Sequence, residues 1–174
     1  MAVSVNGMIA TPSGSEEFLS HENWLEFVKL TKRVGCFIWG RKTYENVITW
    51  DKSYLKQLEN VKKVIISTSK LDLQKGFVQA KSINEALYLL NDWGFKEAIV
   101  TGGSITNRNF ALKKLITEVI LYINPSILGL GIPVFNPADF VLKLKLTSVK
   151  KISENIIEVR YNVLENTTVT KINL

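Results

Sequence analysis

The chain has 174 residues, of which 46% are hydrophobic, and it carries a formal net charge of +6. This apolar content can build a core, which excludes a disordered chain, and the length suits one domain. Cys36 is the only cysteine and His21 the only histidine. These counts exclude an intrachain disulfide and a cysteine metal cluster, and with a single histidine we expect no metal site and no Ser–His triad.

No apolar stretch approaches the roughly 20 residues that a membrane span requires. The segment Met1–Val5 has no basic leader, so we predict a cytoplasmic protein without a signal peptide. The basic residues are mostly scattered lysines, without interleaved aromatics or a known nucleic-acid motif. We therefore expect a small-molecule ligand and no nucleic-acid partner.

Strand and helix patterns alternate along the chain. The predicted strands are Met1–Ala10 with a loop at Asn6-Gly7, Val34–Trp39, Val61–Ser67, Phe77–Ala80, Glu97–Thr101 and Glu118–Ile123. Helices are predicted after Ser20, after Gly40, from the capping box Ser82–Glu85, and from Ser104 to about Lys113.

In the last third of the chain, apolar residues recur at every second position. The segments Leu142–Leu146 and Ile157–Val163 alternate apolar and polar residues, which predicts an antiparallel hairpin. The sequence thus predicts an α/β fold: a three-layer sandwich whose mostly parallel central sheet carries an antiparallel C-terminal hairpin. We expect residues 1–174 to form one domain.

Three predicted strands end in residues that suit phosphate. These ends are Gly40-Arg41-Lys42-Thr43, Ser67-Thr68-Ser69 and Gly102-Gly103-Ser104. Each segment alone is also typical of an ordinary turn or helix start. If the strands are parallel, the three ends meet at one edge of the sheet, where open α/β sheets bind ligands. This convergence favours a ligand with several phosphates, such as a dinucleotide.

Several segments resemble one superfamily in the correct order along nearly the whole chain. Ile38–Glu45 and Ile99–Gly103 resemble the strand ends of dihydrofolate reductases and of the C-terminal reductase domain of bifunctional riboflavin-biosynthesis enzymes. Ala2–Ala10 and Leu115–Phe135 are similar to the riboflavin branch in particular. Relatives have several residues before the segment that matches Ala2, so the natural start is expected upstream.

The resemblance implies NADPH as the hydride donor. It implies cofactor contacts from the three strand ends and from the first loop, namely Ile9, Ala10, Gly40, Arg41, Lys42, Thr43, Ser67, Thr68, Ser69, Thr101, Gly102, Gly103, Ser104, Ile105 and Thr106. In this reading Arg41 and Ser67–Ser69 receive the 2′-phosphate, where NAD-specific sites place a carboxylate. Ile9 and Ala10 line the nicotinamide pocket.

The same resemblance implies reduction of a ribosylaminopyrimidine phosphate, with Asn6, Trp24, Val28, Asn46 and Val47 as candidate substrate contacts. Trp24 occupies the position at which dihydrofolate reductases carry a carboxylate, and Asn6 stands where the riboflavin branch usually has aspartate. The alternatives are dihydrofolate reductase itself and a nucleotide-binding protein that has lost catalysis. We assign no catalytic residue, and we expect a homodimer that pairs through the C-terminal hairpin.

Overall fold

The computed structural model describes residues 1–164. Its helices are α1 (His21–Val34), α2 (Arg41–Val47), α3 (Lys52–Lys56), α4 (Ile83–Asp92) and α5 (Ser104–Leu112). Its strands are β1 (Ala2–Ser4), β2 (Met8–Ala10), β3 (Cys36–Gly40), β4 (Lys62–Ile66), β5 (Phe77–Ala80), β6 (Ile99–Val100), β7 (Glu118–Asn124), β8 (Ile132–Pro133), β9 (Leu144–Lys151) and β10 (Ile157–Val163).

The chain divides into two compact units. One unit comprises Leu25–Thr106 and contains a four-stranded sheet in the order β5-β4-β3-β6, in which every neighbouring pair is parallel. We call it the parallel sheet. The other unit comprises Met1–Trp24 and the described chain from Asn107 onward. It contains the mixed sheet, ordered β1-β7-β10-β9, and a two-stranded sheet of β2 and β8.

One of the two inner strands of the parallel sheet is β3, in which every residue is buried. Its continuous apolar run predicts this position, because a strand buried on both faces carries no alternating polar residues. Phe37 and Trp39 contact each other with ring centroids 4.5 Å apart, and Phe27 of α1 stacks on Trp39 at 5.8 Å. This aromatic cluster fixes β3 within the core of its unit.

The fourth helix begins where its sequence predicts. Ser82 Oγ accepts a hydrogen bond from the Glu85 amide at 3.1 Å, as an N-cap side chain does. The Glu85 carboxylate accepts from the Lys81 amide at 2.8 Å, one residue earlier than the Ser82 amide of a standard capping box. Ile83, Ala86 and Leu90 form the buried face of the helix.

The C-terminal hairpin is confirmed, with β9 and β10 paired antiparallel. Within β10, Arg160 donates from Nε to Glu158 Oε1 at 2.7 Å and from Nη2 to Glu158 Oε2 at 2.8 Å. These charged hydrogen bonds lower the pKa of the buried Glu158 carboxyl. Every residue of β9 is exposed, and its outer edge has no strand partner among residues 1–164. Homodimerisation through this edge stays a prediction.

The α/β class is confirmed, and most elements lie within two residues of their predicted bounds. The segment Met1–Ala10 differs, because a turn at 5–7 divides it into β1 and β2. The predicted strand Glu97–Thr101 shortens to β6, and the strand predicted as Leu142–Leu146 extends further, as β9, to Lys151. The short elements α3 and β8 were not predicted from the sequence. Hydrogen bonding also distributes the strands over three sheets rather than one.

Candidate functional site

The carboxyl ends of β3, β4 and β6 lie side by side at one edge of the parallel sheet. Gly40 pairs with Ile66, and Ile38 pairs with Val100, in parallel register. Because all neighbouring strands run in one direction, the residues that follow them emerge at the same edge. The three predicted strand ends are therefore neighbours. We call this edge, with residues 40–43, 67–69 and 101–106, the phosphate edge.

Gly40 is the point of closest packing at this edge. Its amide donates to the Gly102 carbonyl at 2.7 Å. A Cβ at position 40 would overlap Thr106 Oγ1, although the backbone of Gly40 (φ −80°, ψ 163°) is open to any residue. Glycine is therefore required here by the space available and not by the backbone angles.

Gly102 and Gly103 carry the chain from β6 to α5. Gly102 has φ +106°, a conformation that favours glycine, and the peptide bond between the two residues is cis. A Cβ at Gly103 would lie 3.3 Å from Thr43 Oγ1. The glycine pair thus runs directly against the first turn of α2, with bare backbone facing Thr43.

Ser104 opens α5, a helix of nine residues. The residue is only 5% exposed, and its hydroxyl has no hydrogen-bond partner among residues 1–164. The first backbone N–H groups of a helix also lack intrahelical partners and carry the positive end of the helix dipole. Ser104 therefore adds an unused donor at a terminus that favours an anion.

Thr101 is held by the core beneath the edge. Trp39 Nε1 donates to Thr101 Oγ1 at 2.7 Å, and the Thr101 amide donates to the Ile38 carbonyl at 3.3 Å. The hydroxyl of Thr101 accepts a bond from the core, while the neighbouring Ser104 hydroxyl is unpaired. Sequence alone does not separate these roles.

The cations of the phosphate edge are exposed. Arg41 and Lys42 both lie at the surface, and Arg41 Nε pairs with Glu45 Oε1 at 2.6 Å. This i,i+4 pair is half exposed on both sides, so solvent screens it and an anionic ligand can compete for the guanidinium. Thr43 is half-buried, in keeping with its approach to Gly103.

The Ser67–Ser69 segment forms a tight turn after β4. Ser67 is buried, and its hydroxyl donates to the Ser69 carbonyl at 2.8 Å. Thr68 and Ser69 are exposed at the surface. The turn therefore presents two side-chain hydroxyls outward and uses the third to stabilise itself.

Ile9 and Ala10 belong to the other unit, on β2. Ala10 pairs with Ile132 of β8, and a Cβ at Gly131 would lie only 2.7 Å from the Ala10 carbonyl oxygen. Gly131 therefore passes close to β2 only because it has no side chain. The assignment of Ile9 and Ala10 to a nicotinamide pocket stays a prediction.

The Asn6 side chain links the turn between β1 and β2 to the loop that contains Leu128, in the same unit. Its Nδ2 donates to the Leu128 carbonyl at 2.7 Å, and its Oδ1 accepts from the Leu128 amide at 3.2 Å and from Ser4 Oγ at 2.8 Å. An aspartate could not make the first of these bonds, because a carboxylate only accepts. The amide at this position thus has a structural role of its own, beside its predicted contact with substrate.

The other predicted substrate contacts are mostly core residues in this structure. Trp24, Val28 and Val47 are each less than a tenth exposed, whereas Asn46 is half-buried.

Among the described residues no group of three or more His, Cys, Asp or Glu side chains could hold a metal ion. No helix within residues 1–164 is long and apolar enough to cross a membrane.

Sequence reasoning missed a buried amide pair next to a cavity. Asn23 Nδ2 donates to Asn124 Oδ1 at 2.7 Å, and Asn124 Nδ2 donates back to Asn23 Oδ1 at 3.2 Å. Asn124 also lines a cavity of about 340 Å³ with Pro125, Glu22 and the hairpin turn at 153–156. None of the predicted site residues lines it. The pair joins positions 101 residues apart, so no local pattern signals it.

Glu16 is a second missed residue, in the loop between β2 and α1. Burial raises the pKa of this carboxyl to about 7. The loop around it is well bonded, since the Thr11 amide donates to the Ser15 carbonyl and the Leu19 amide to the Glu16 carbonyl, both at 2.9 Å. An isolated Glu in a polar loop gives no sequence signal of burial.

A family model described as the RibD C-terminal domain matches residues 1–157. The uncharacterized protein YyaP of Bacillus subtilis (strain 168) is 22% identical over 176 residues, which cover 93% of this chain and 92% of YyaP. A crystal structure of a Shewanella sp. PV-4 protein assigned to riboflavin biosynthesis has a TM-score of 0.75 at 22% identity, with coverage of 95% of this chain and 97% of that one.

A larger protein has the same fold in one of its parts. The diaminohydroxyphosphoribosylaminopyrimidine deaminase/5-amino-6-(5-phosphoribosylamino)uracil reductase of Thermotoga maritima has a TM-score of 0.71 at 16% identity. The match covers 94% of this chain and 55% of the Thermotoga protein, so this chain spans about half of its length. The family resemblance inferred from the sequence is confirmed.

Replacement of Gly40 by alanine should destabilise the protein by roughly 1–3 kcal/mol, because the new methyl group overlaps Thr106 Oγ1 in a packed site. The double variant Gly40→Ala/Thr106→Ala removes that oxygen and should recover most of the loss. Thermal unfolding of both variants checks this, with Gly129→Ala as the control, since a Cβ there meets nothing within 4 Å. Equal instability of the single and double variants would contradict the steric explanation.

The raised pKa of Glu16 predicts a pH-dependent stability. The folded protein holds this proton up to about pH 7, whereas the ordinary pKa of a glutamate carboxyl is 4.5, so the unfolded chain binds fewer protons between these values. Stability is therefore lost as pH rises from about 4.5 through 7. Glu16→Gln should remove that loss and stabilise the protein by roughly 1–3 kcal/mol at pH 8.

Urea unfolding at pH 5 and pH 8 measures the effect, with the exposed neighbour variant Glu17→Gln as the control. If Glu16→Gln and Glu17→Gln respond alike to pH, burial of Glu16 is not the cause.

Proposed function

This chain belongs to the RibD C-terminal domain family, and we propose that it is an NADPH-dependent reductase of the riboflavin-biosynthesis type. The proposed substrate is a ribosylaminopyrimidine phosphate such as 5-amino-6-(5-phosphoribosylamino)uracil, which the name of the Thermotoga relative contains. The observation that carries the proposal is the buried, unpaired Ser104 hydroxyl beside Gly102 and Gly103 at the start of α5.

The residues of the phosphate edge fit a pyrophosphate. A buried hydroxyl without a partner costs about 1–3 kcal/mol, and an anion at the start of α5 would remove that cost. The same anion would also accept from the free N–H groups of the first helical turn. Gly102 and Gly103 have no side chains to block its approach.

The exposed residues of the phosphate edge suit the 2′-phosphate, which is the third phosphate of NADPH. Arg41, Thr68 and Ser69 are exposed and supply a guanidinium and two hydroxyls. A site for NAD would place a carboxylate on the ribose, whereas Glu45, the carboxylate near Arg41, pairs with that arginine. Exchange of Glu45 for the 2′-phosphate would give Arg41 a stronger, doubly charged partner. This difference supports NADPH over NADH.

When bound, NADPH would supply a hydride from C4 of its nicotinamide. The chain would contribute orientation more than acid–base chemistry. The Gly40–Gly102 bond and the Trp39–Thr101 bond hold the edge to the core, so the phosphates would be fixed against a rigid sheet. Asn6, Trp24, Val28, Asn46 and Val47 stay predicted substrate contacts.

Turnover assays separate this proposal from its alternatives. The protein with NADPH and the ribosylaminopyrimidine phosphate should oxidise NADPH, measured by its loss of absorbance, whereas dihydrofolate should give no oxidation above the substrate-free control. Oxidation with dihydrofolate alone would identify a dihydrofolate reductase. NADPH binding without turnover of either substrate would identify a nucleotide-binding protein that has lost catalysis.

The Ser104→Ala variant tests whether the buried, unpaired Ser104 hydroxyl belongs to the cofactor site. Loss of an unpaired buried hydroxyl should leave the apoprotein as stable as before or slightly more stable, since no hydrogen bond is removed. Its dissociation constant for NADPH should nevertheless rise about tenfold, because one hydrogen bond to a charged phosphate is lost. Calorimetric titration and thermal unfolding measure the two effects.

The matched control is Ser148→Ala, at an exposed serine of β9. An unchanged NADPH affinity in Ser104→Ala would remove this hydroxyl from the cofactor site.

A further inference from the structure

The turn after β4 is held by one side chain from the neighbouring strand. Gln79 of β5 donates its Nε2 to the Ser67 carbonyl at 2.9 Å and to the Ser69 carbonyl at 2.7 Å. Its Oε1 accepts from the Leu71 amide at 3.1 Å. One amide group therefore satisfies three backbone groups of the segment 67–71, which we call the 67–71 turn.

Only one orientation of this amide satisfies all three groups. With Oε1 and Nε2 exchanged, the oxygen would face two carbonyl oxygens and the NH₂ group would face an N–H donor. The bonds thus require both an acceptor and a two-proton donor on a side chain of this length. Glutamine provides that combination, whereas glutamate and methionine of the same length do not.

The position of β5 explains why the turn needs this support. β5 is the outermost strand of the parallel sheet in the described chain, and its last ladder bond to this region is from the Ser67 amide to the Ala80 carbonyl at 2.9 Å. Beyond Ser67 the turn has no strand to pair with. Gln79 replaces the missing ladder with side-chain bonds, and Ser67 Oγ adds a bond to the Ser69 carbonyl.

The bonds leave the side chains of the turn facing outward. Thr68, Ser69 and Lys70 are all exposed, while the backbone beneath them is tied to Gln79. We propose that Gln79 is a positioning residue that shapes the 67–71 turn for the 2′-phosphate and so sets the preference for NADPH over NADH. This inference rests on the proposed function and adds a specificity determinant to it.

The test compares Gln79→Met with Val78→Met. Both variants place the same side chain on β5, but Val78 makes no side-chain hydrogen bond and is exposed. In Gln79→Met the dissociation constant for NADPH should rise about tenfold, and the dissociation constant for NADH should stay nearly unchanged. In Val78→Met neither dissociation constant should change. Arg41→Ala serves as the reference, since it removes a proposed direct contact with the same phosphate.

A second measurement uses the protein without cofactor. Hydrogen–deuterium exchange of the Leu71 amide should accelerate about tenfold in Gln79→Met and stay unchanged in Arg41→Ala, because only the former loses the Leu71 bond. Gln79→Asn provides a milder variant if Gln79→Met folds poorly. It should also weaken NADPH binding and accelerate exchange of the Leu71 amide, by smaller factors.

The outcomes distinguish this inference from the function on which it rests. If the wild type prefers NADPH and Gln79→Met keeps the same NADPH-to-NADH ratio, Gln79 does not set the preference. An equal loss of affinity for both cofactors would also overturn it, because it would indicate general damage to the site. A wild type that binds both cofactors equally, or neither, would overturn the assignment of NADPH and this inference together.

Discussion

The phosphate edge depends on a lack of space at the end of β3. The Gly40 amide bonds to the Gly102 carbonyl, and Thr106 Oγ1 fills the place where a side chain of residue 40 would lie. This contact brings the turn after β6 against the central strand, and Gly103 then reaches Thr43. The start of α5, with its unpaired Ser104 hydroxyl, is placed by the same packing. A side chain at Gly40 would have to displace Thr106 Oγ1, and one at Gly103 would press on Thr43 Oγ1.

Much of this arrangement follows from sequence because its determinants are local. The apolar run of β3 predicts a buried strand, the Ser82 cap predicts α4, and parallel strands must bring their carboxyl ends to one edge. The glycine pair at 102–103 marks the tight passage from β6 to α5, where Gly102 has a positive φ. These signals lie within a few residues of the structures they specify, so a single sequence is sufficient to read them.

Other features depend on contacts between distant residues, and sequence patterns did not reveal them. The Thr101 hydroxyl accepts a bond from Trp39, 62 positions away, and the Asn6 amide bonds to Leu128 across 122 positions. The amide of Gln79 reaches backbone groups 8 to 12 residues away, a spacing with no helical or strand period. Short elements such as β8, with two residues, carry too few side chains to form a pattern.

One unit is formed by a single continuous segment of the chain, and the other by two segments that are far apart in sequence. Residues Leu25–Thr106 are contiguous, so during translation the parallel sheet has all its strands before the mixed sheet does. In the mixed sheet β1 pairs with β7, and Asn124 Nδ2 donates to the Val3 carbonyl 121 residues earlier. Pairings at such separation form slowly, because a long loop must close first. On the ribosome β1 therefore has no strand partner until β7 has been synthesised, so the mixed sheet is the later of the two four-stranded sheets to be completed.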